Sequence, residues 1–126
     1  MYIKEIILEN FRNYENQKIE LNENINIIYG NNAQGKTNII EALWLFSGAK
    51  SFRTSTEKDF IKFGKMRASI YTEFDMLGVE NNAQIIFDEK KTAFFNEKKL
   101  PNTAALAGKY NAIVFSPSDL TLVTDG

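Results

Sequence analysis

One run of residues, Gly30-Asn31-Asn32-Ala33-Gln34-Gly35-Lys36-Thr37, constrains this chain more than any other feature. It fits the template G-x-x-x-x-G-K-[ST] at every fixed position. At average residue frequencies a chain this short meets that template by chance about a few times in a thousand. The flanks supply the frame that the motif needs: residues 25–29 read as a buried strand and residues 38–47 as a helix, giving strand–loop–helix. Gly30 and Gly35 permit backbone angles and close approaches that a Cβ blocks. The N–H groups from Asn32 to Thr37 then converge as an anion nest at a helix N-terminus. In that geometry Lys36 reaches the β- and γ-phosphates of a nucleoside triphosphate such as ATP, and the Thr37 hydroxyl ligates Mg²⁺. The competing reading is a glycine-rich turn that happens to precede a helix.

Composition narrows the chemistry around such a site. The chain has 126 residues, of which 44% are hydrophobic, one domain's worth with enough apolar mass for a core. Its net charge of -1 gives no whole-chain basic footprint for nucleic acid. Contact with DNA phosphates therefore needs a local patch, for which Lys62, Lys65 and Arg67, or Lys98 and Lys99, are the candidates. As isolated surface charges they more often serve solubility alone. There is no cysteine and no histidine, so disulfides, thiolate metal sites and imidazole bases are excluded. Carboxylates, Lys36 and water must do any acid–base work. The most apolar stretch, residues 39–46, is interrupted by Glu41 and is too short for a membrane span. The first residues lack a signal-peptide plan. The chain reads as soluble and cytoplasmic.

Along the chain, residues 2–8 read as a first strand, with Ile3 and Ile7 apolar among charged neighbours, and Asn10-Phe11-Arg12-Asn13-Tyr14 as a polar turn. Residues 18–21 alternate as an edge-like strand. The helix after the loop is apolar nearly all round, which predicts burial between two layers of sheet. Thr56-Glu57-Lys58-Asp59 starts a short helix through Phe63, ended by Gly64. Residues 69–75, 84–87 and 92–95 read as strands, Leu77-Gly78 as a turn, and Asn96-Glu97 as a hairpin leading to Lys98-Lys99-Leu100. Residues 110–115 form a last strand, and Ser116-Pro117-Ser118-Asp119 a capped helix start. The fold expected is α/β: a P-loop NTPase strand and helix packed with a mixed sheet, plus an antiparallel layer over about residues 67–100. A strong helix start with almost no helix behind it predicts that residues 1–126 are a single, partial ATPase domain of a longer protein.

Several blocks carry a family resemblance. Met1-Tyr2-Ile3-Lys4, Leu8-Glu9-Asn10-Phe11-Arg12-Asn13-Tyr14, the phosphate loop running into Asn38 and Glu41-Ala42, Lys50-Ser51-Phe52-Arg53-Thr54, and Val114-Phe115-Ser116-Pro117-Ser118-Asp119-Leu120 occur in family order. The chain resembles the N-terminal third of the RecF family of bacterial recombination and repair ATPases, relatives of SMC-like and ABC-type ATPases. Residues 66–95 resemble it in strand pattern only, and Glu97 stands where the family usually has glycine. The resemblance implies an ATP- and Mg²⁺-binding protein that, at full length, dimerises on ATP and binds single- and double-stranded DNA at gaps and junctions. It further implies work with RecR and RecO, and a signature motif and Walker B carboxylates farther along the family's length. It also implies that Arg12 sits by the phosphates or ribose, and Arg53 near the γ-phosphate or the partner molecule. The alternative for each arginine is a surface residue with its stem on apolar neighbours, and the nucleotide role is favoured more for Arg12 than for Arg53.

Two other assignments compete. Ile85-Ile86-Phe87-Asp88-Glu89 imitates a Walker B strand, with Asp88 on Mg²⁺, as a self-contained P-loop kinase requires. Lys90-Lys91 and another strand follow at once, which reads instead as an exposed hairpin tip. Asp119 falls where the relatives place a glutamine that senses Mg²⁺, but its capping position already explains it. Phe11 and Tyr14 read as core residues before base-flanking ones. The third possibility is a non-catalytic interaction module whose loop is vestigial.

Overall fold

A computed structural model describes residues 2–20, 33–48, 57–107 and 109, with residues 2, 33–37 and 57 described through their backbone. The strand expected at residues 25–29, Gly30, Asn31 and Asn32, Arg53, the strand at 110–115 and the cap at 116–119 lie outside the described residues.

Period-two alternation builds the sheet. In β3 (Ala68–Met76), Ala68, Ile70, Thr72 and Phe74 are buried while Ser69, Tyr71, Glu73 and Asp75 are half-exposed. In β4 (Val79–Phe87), Ala83, Ile85 and Phe87 follow the same rule. These strands join β1 (Tyr2–Phe11), β2 (Tyr14–Glu20), β5 (Lys91–Phe95) and the short β6 (Lys98–Lys99) in one sheet. Its order is β2-β1-β3-β4-β5-β6, and every described pairing is antiparallel. The antiparallel layer therefore extends past residues 67–100 to take in the first two strands.

The first strand, expected over residues 2–8, runs on to Phe11 and departs from simple alternation. Its core residues are Ile3, Ile6, Leu8 and Phe11, whereas Ile7 is half-buried on the other face. A bulge between Ile3 and Glu5 shifts the register against β3, so two residues an odd number of positions apart can both face inward. The carbonyl of Glu5 beside the bulge accepts a 2.9 Å bond from the buried Thr72 hydroxyl, which satisfies that polar group inside the core.

On the opposite face, Glu5 and Glu73 are directly paired across β1 and β3. Like charges so placed are destabilising. Lys18 Nζ, 2.9 Å from Glu5, and the Tyr71 hydroxyl, donating to Glu73 at 3.0 Å, offset the repulsion. Burial, then the bond to Glu73, pushes the Tyr71 phenol up to about 12 from the ordinary 10.0. The fold thus holds the Tyr71 proton more tightly than the unfolded chain does. The stability this confers is present below pH 10 and is lost as pH rises through about 12. An ultraviolet phenolate titration is expected to show a component near 12 that disappears in Tyr71→Phe.

Two hairpins use two-residue turns with both central residues at positive φ. Leu77 (54°) and Gly78 (81°) join β3 to β4, and Asn96 (49°) and Glu97 (71°) join β5 to β6. Such turns match strand twist, with glycine favoured at the second position. Asn96 is locked by Asn81 and Asn82, its amide donating to Asn81 Oδ1 and its Oδ1 accepting from Asn82 N–H, both at 2.9 Å. Glu97, exposed and left-handed, bears the strain of a Cβ there. Glu97→Gly is expected to raise the unfolding free energy by about 0.5–1 kcal/mol in a denaturant titration.

One face of the sheet carries α1 (Ala33–Leu45), the 3₁₀ turn Glu57–Phe60 and the 3₁₀ turn Thr103–Leu106. Ile39, Ala42, Leu43, Leu45 and Phe46 join Ile6, Leu8, Ile70, Ile85, Phe87 and Leu106 in one core cluster. Burial of the helix on nearly every side is as its composition requires: Asn38 through Leu43 are all buried, and Ile40 is buried outside that cluster. Any second layer over it lies outside the described residues. The helix expected to run to Phe63 is a single 3₁₀ turn. Ile61 leaves it to bridge Phe11, and Lys62 N–H bonds the Asn10 carbonyl at 2.7 Å. Sheet-like pairing there outcompetes further helical turns, and Gly64 at φ 86° completes the reversal.

Candidate nucleotide site

Helix α1 begins at Ala33, inside the phosphate-loop motif. Gly35, Lys36 and Thr37 therefore stand in its first turns, where unsatisfied N–H groups and the positive dipole end favour an anion. The described side chains begin one residue later with two buried polar groups. Asn38 is 1% exposed and Glu41 is 0% exposed. Three residues apart on a helix, they share a face.

Both are met by the turn between β1 and β2. Arg12 Nε and Nη2 donate to Glu41 Oε1 and Oε2, each at 2.8 Å. Asn38 Nδ2 donates to Asn13 Oδ1 at 2.6 Å. The Arg12–Glu41 fork is the planar bidentate geometry that guanidinium and carboxylate favour. Phe11 and Tyr14 pair across this turn, leaving Arg12 and Asn13 as its central residues. Arg12 sits at φ 54°, a conformation that costs a non-glycine residue about 1–3 kcal/mol and persists only where surroundings over-determine it. Those surroundings are present. Arg12 N–H bonds the Phe60 carbonyl at 2.8 Å, and its guanidinium carbon lies 5.3 Å from the Phe60 ring centroid. A carboxylate, an aromatic face and a backbone carbonyl thus fix one arginine.

Three segments converge here: the turn at Arg12-Asn13, the face of α1 at Asn38, and residues 58–63. Together they line an open pocket of about 700 Å³, with Arg12, Asn13, Asn38, Lys58, Lys62 and Phe63 among its walls. Asp59 is the one carboxylate among the described lining residues. Arginine and two lysines against a single acid suit an anionic ligand. The Arg12 charge is already matched by Glu41, so this arginine offers a ligand directed N–H groups more than net charge.

Of the residues singled out in the sequence, Arg12 is at this pocket. Ala33, Gln34, Gly35, Lys36 and Thr37 are placed by the α1 backbone, immediately before Asn38. Phe11 is core, fully buried, and Tyr14 is half-buried against the core. Asp88 stands at the exposed tip between antiparallel β4 and β5, where its Oδ1 accepts from Lys90 N–H at 2.9 Å. It lines a separate cavity of about 390 Å³ beyond the segment containing Lys62 and Phe63. Of the basic residues, Lys62 is a pocket wall, Lys65 lies 3.8 Å from Glu15, and Arg67, Lys98 and Lys99 are exposed. No cluster of three potential metal-ligating acids occurs among the described residues. Glu41, Asn38 and Phe60 are the site residues that sequence reasoning passed over. Glu41 had a signal: a carboxylate interrupting an all-round apolar helix needs a partner.

A P-loop ATPase is the class of protein that this fold and motif define, and the chain belongs to it: residues 1–122 match the AAA ATPase domain family. Among curated relatives it is 42% identical to the DNA replication and repair protein RecF of Clostridium perfringens, over 99% of this chain and 35% of that protein. It is also 42% identical to RecF of Clostridium acetobutylicum over the same shares. The chain thus spans about a third of the length of these relatives. A solved structure of the recombination mediator protein RecF with ATP, of the RecFOR pathway, superposes with a TM-score of 0.79 at 35% identity, covering 96% of this chain and 34% of that one. The SMC head domain from Thermotoga maritima shares the fold, with a TM-score of 0.69 at 21% identity over 86% of this chain. No helix among the described residues is long and apolar enough to cross a membrane.

Proposed function

We propose that this chain is the ATP-binding N-terminal portion, a single partial ATPase domain, of a RecF-type DNA recombination, repair and replication protein. The carrying observation is the arginine at the β1–β2 turn, fixed by a fully buried glutamate of the phosphate-loop helix and lining a basic pocket beside that helix. Gly30 to Thr37 wrap the phosphates with backbone N–H groups, Lys36 meets the β- and γ-phosphates, and Thr37 holds Mg²⁺. Arg12 adds N–H donors at the phosphates or ribose, and Arg53 approaches the γ-phosphate or a partner molecule. Binding is the function of this part. Hydrolysis by it is slight, because Asp88 occupies a hairpin tip and the Walker B acid and signature motif of RecF-type proteins fall outside this portion. The whole protein binds DNA at gaps and junctions, pairs with a second copy on ATP, acts with RecR and RecO, and works in the cytoplasm.

Calorimetric titration of the chain with ATP and Mg²⁺ tests this. Saturable one-site binding is expected, with little phosphate released on prolonged incubation. No saturable binding at millimolar nucleotide would sink the reading.

A further inference from the structure

Arginines that read phosphate ordinarily bring an unmatched charge; this one does not. Arg12 is 16% exposed and its partner carboxylate 0% exposed. Of the five N–H groups on a guanidinium, Glu41 takes the one on Nε and one on Nη2. The Phe60 ring packs over the guanidinium. Three N–H groups remain beyond the carboxylate, on a side chain that lines the basic pocket. Glu41 lies on α1 four residues after Thr37, so one rigid helix carries both the end of the phosphate loop and the anchor of the arginine.

We infer that Glu41 is a positioning residue for nucleotide binding. It holds the Arg12 fork at a set angle to the first turn of α1, so that the three remaining N–H groups meet the nucleotide without reorganising. The inference rests on the proposed ATP site. Its physical basis is pre-organisation: an arginine already immobilised by its carboxylate loses little rotamer freedom when ligand arrives. A net-neutral pair also makes its share of affinity directional, hence weakly dependent on salt, unlike that of Lys36.

The test is a double-mutant cycle on ATP·Mg²⁺ affinity in the full chain, read beside thermal unfolding, using Glu41→Gln and Arg12→Ala. Each single variant is expected to weaken ATP binding about 10-fold, as loss of a charge-assisted bond implies. The double variant is expected to bind within about two-fold of Arg12→Ala alone, because Glu41 acts through Arg12. Arg12→Lys keeps the charge but cannot span both Glu41 oxygens, so it serves where Glu41→Gln does not fold; it is expected to weaken binding similarly. A brace with no role in binding would lower the melting temperature and leave the affinity of the folded protein intact. That result overturns the inference, as does a Glu41→Gln penalty that persists in full without Arg12. Failure of the ATP site itself is distinguishable, since wild type would then bind no ATP.

Discussion

Lys36→Ala is expected to weaken ATP·Mg²⁺ binding by about 10- to 100-fold while leaving the fold intact. A charge-assisted hydrogen bond contributes about 1.5–3 kcal/mol, and every 1.4 kcal/mol is about ten-fold in affinity. Lys36 stands early in α1, and alanine is the best helix former, so the helix keeps its backbone. The expected far-ultraviolet spectrum and unfolding midpoint are therefore those of wild type, and the loss appears only in the titration. Raising the salt concentration should narrow the gap, because Lys36 acts as a point charge on phosphate. Asp88→Asn is the matched control and should bind as wild type does, since Asp88 is exposed at a turn. Equal titrations for wild type and Lys36→Ala would instead favour a module with a vestigial loop. Phosphoryl transfer to a small acceptor, abolished by Asp88→Asn, would favour the kinase assignment.

The parts of this molecule that were legible in its sequence are those governed by short-range rules. Alternation in residues 69–75 reports a half-buried strand because side chains of a strand alternate strictly between faces. Leu77-Gly78 and Asn96-Glu97 report turns, and the lack of a polar face reports a buried helix. The first strand is legible over residues 2–8 and runs on to Phe11, but which of its residues face the core is set by the bulge between Ile3 and Glu5, which no local pattern reveals. The helix expected from Glu57 to Phe63 stops after one turn because Ile61 pairs with Phe11 and Lys62 with Asn10, partners 50 and 52 positions earlier in sequence. The same limit applies to the site. The phosphate loop is contiguous and therefore visible, whereas Arg12 and Glu41 are separated by 29 positions and come together only through the fold. What could be read was the anomaly of a carboxylate inside an apolar helix. Its answer had to come from three dimensions.

The largest structural effect is expected at Phe11. Its ring is fully buried, stacked on Phe60 with centroids 5.9 Å apart and the planes 12° from parallel, and 6.2 Å from Phe87. Phe60 and Phe87 are themselves 5.0 Å apart, so the three rings form one contact joining β1, the 3₁₀ turn and β4. Phe11→Ala removes one corner of that triangle and leaves a cavity against Phe60 and Phe87. Truncating a buried phenylalanine costs about 3–5 kcal/mol, against a total stability of about 5–15 kcal/mol for an ordinary domain. Denaturant unfolding should therefore show a midpoint shift that consumes about a fifth or more of the stability, with the slope unchanged. Phe11→Leu should recover much of it, since the leucine refills most of the volume. The consequence reaches the pocket, because the cavity lies directly under Phe60, whose ring covers Arg12 and whose carbonyl accepts its N–H. Loosening Phe60 releases two of the three restraints on Arg12 and leaves only the Glu41 fork. ATP affinity measured well below the unfolding midpoint should then fall by less than it does in Arg12→Ala, because the guanidinium is still present but less well fixed. A Phe11→Ala protein as stable as wild type would show that the three-ring contact does not hold the 3₁₀ turn to the sheet.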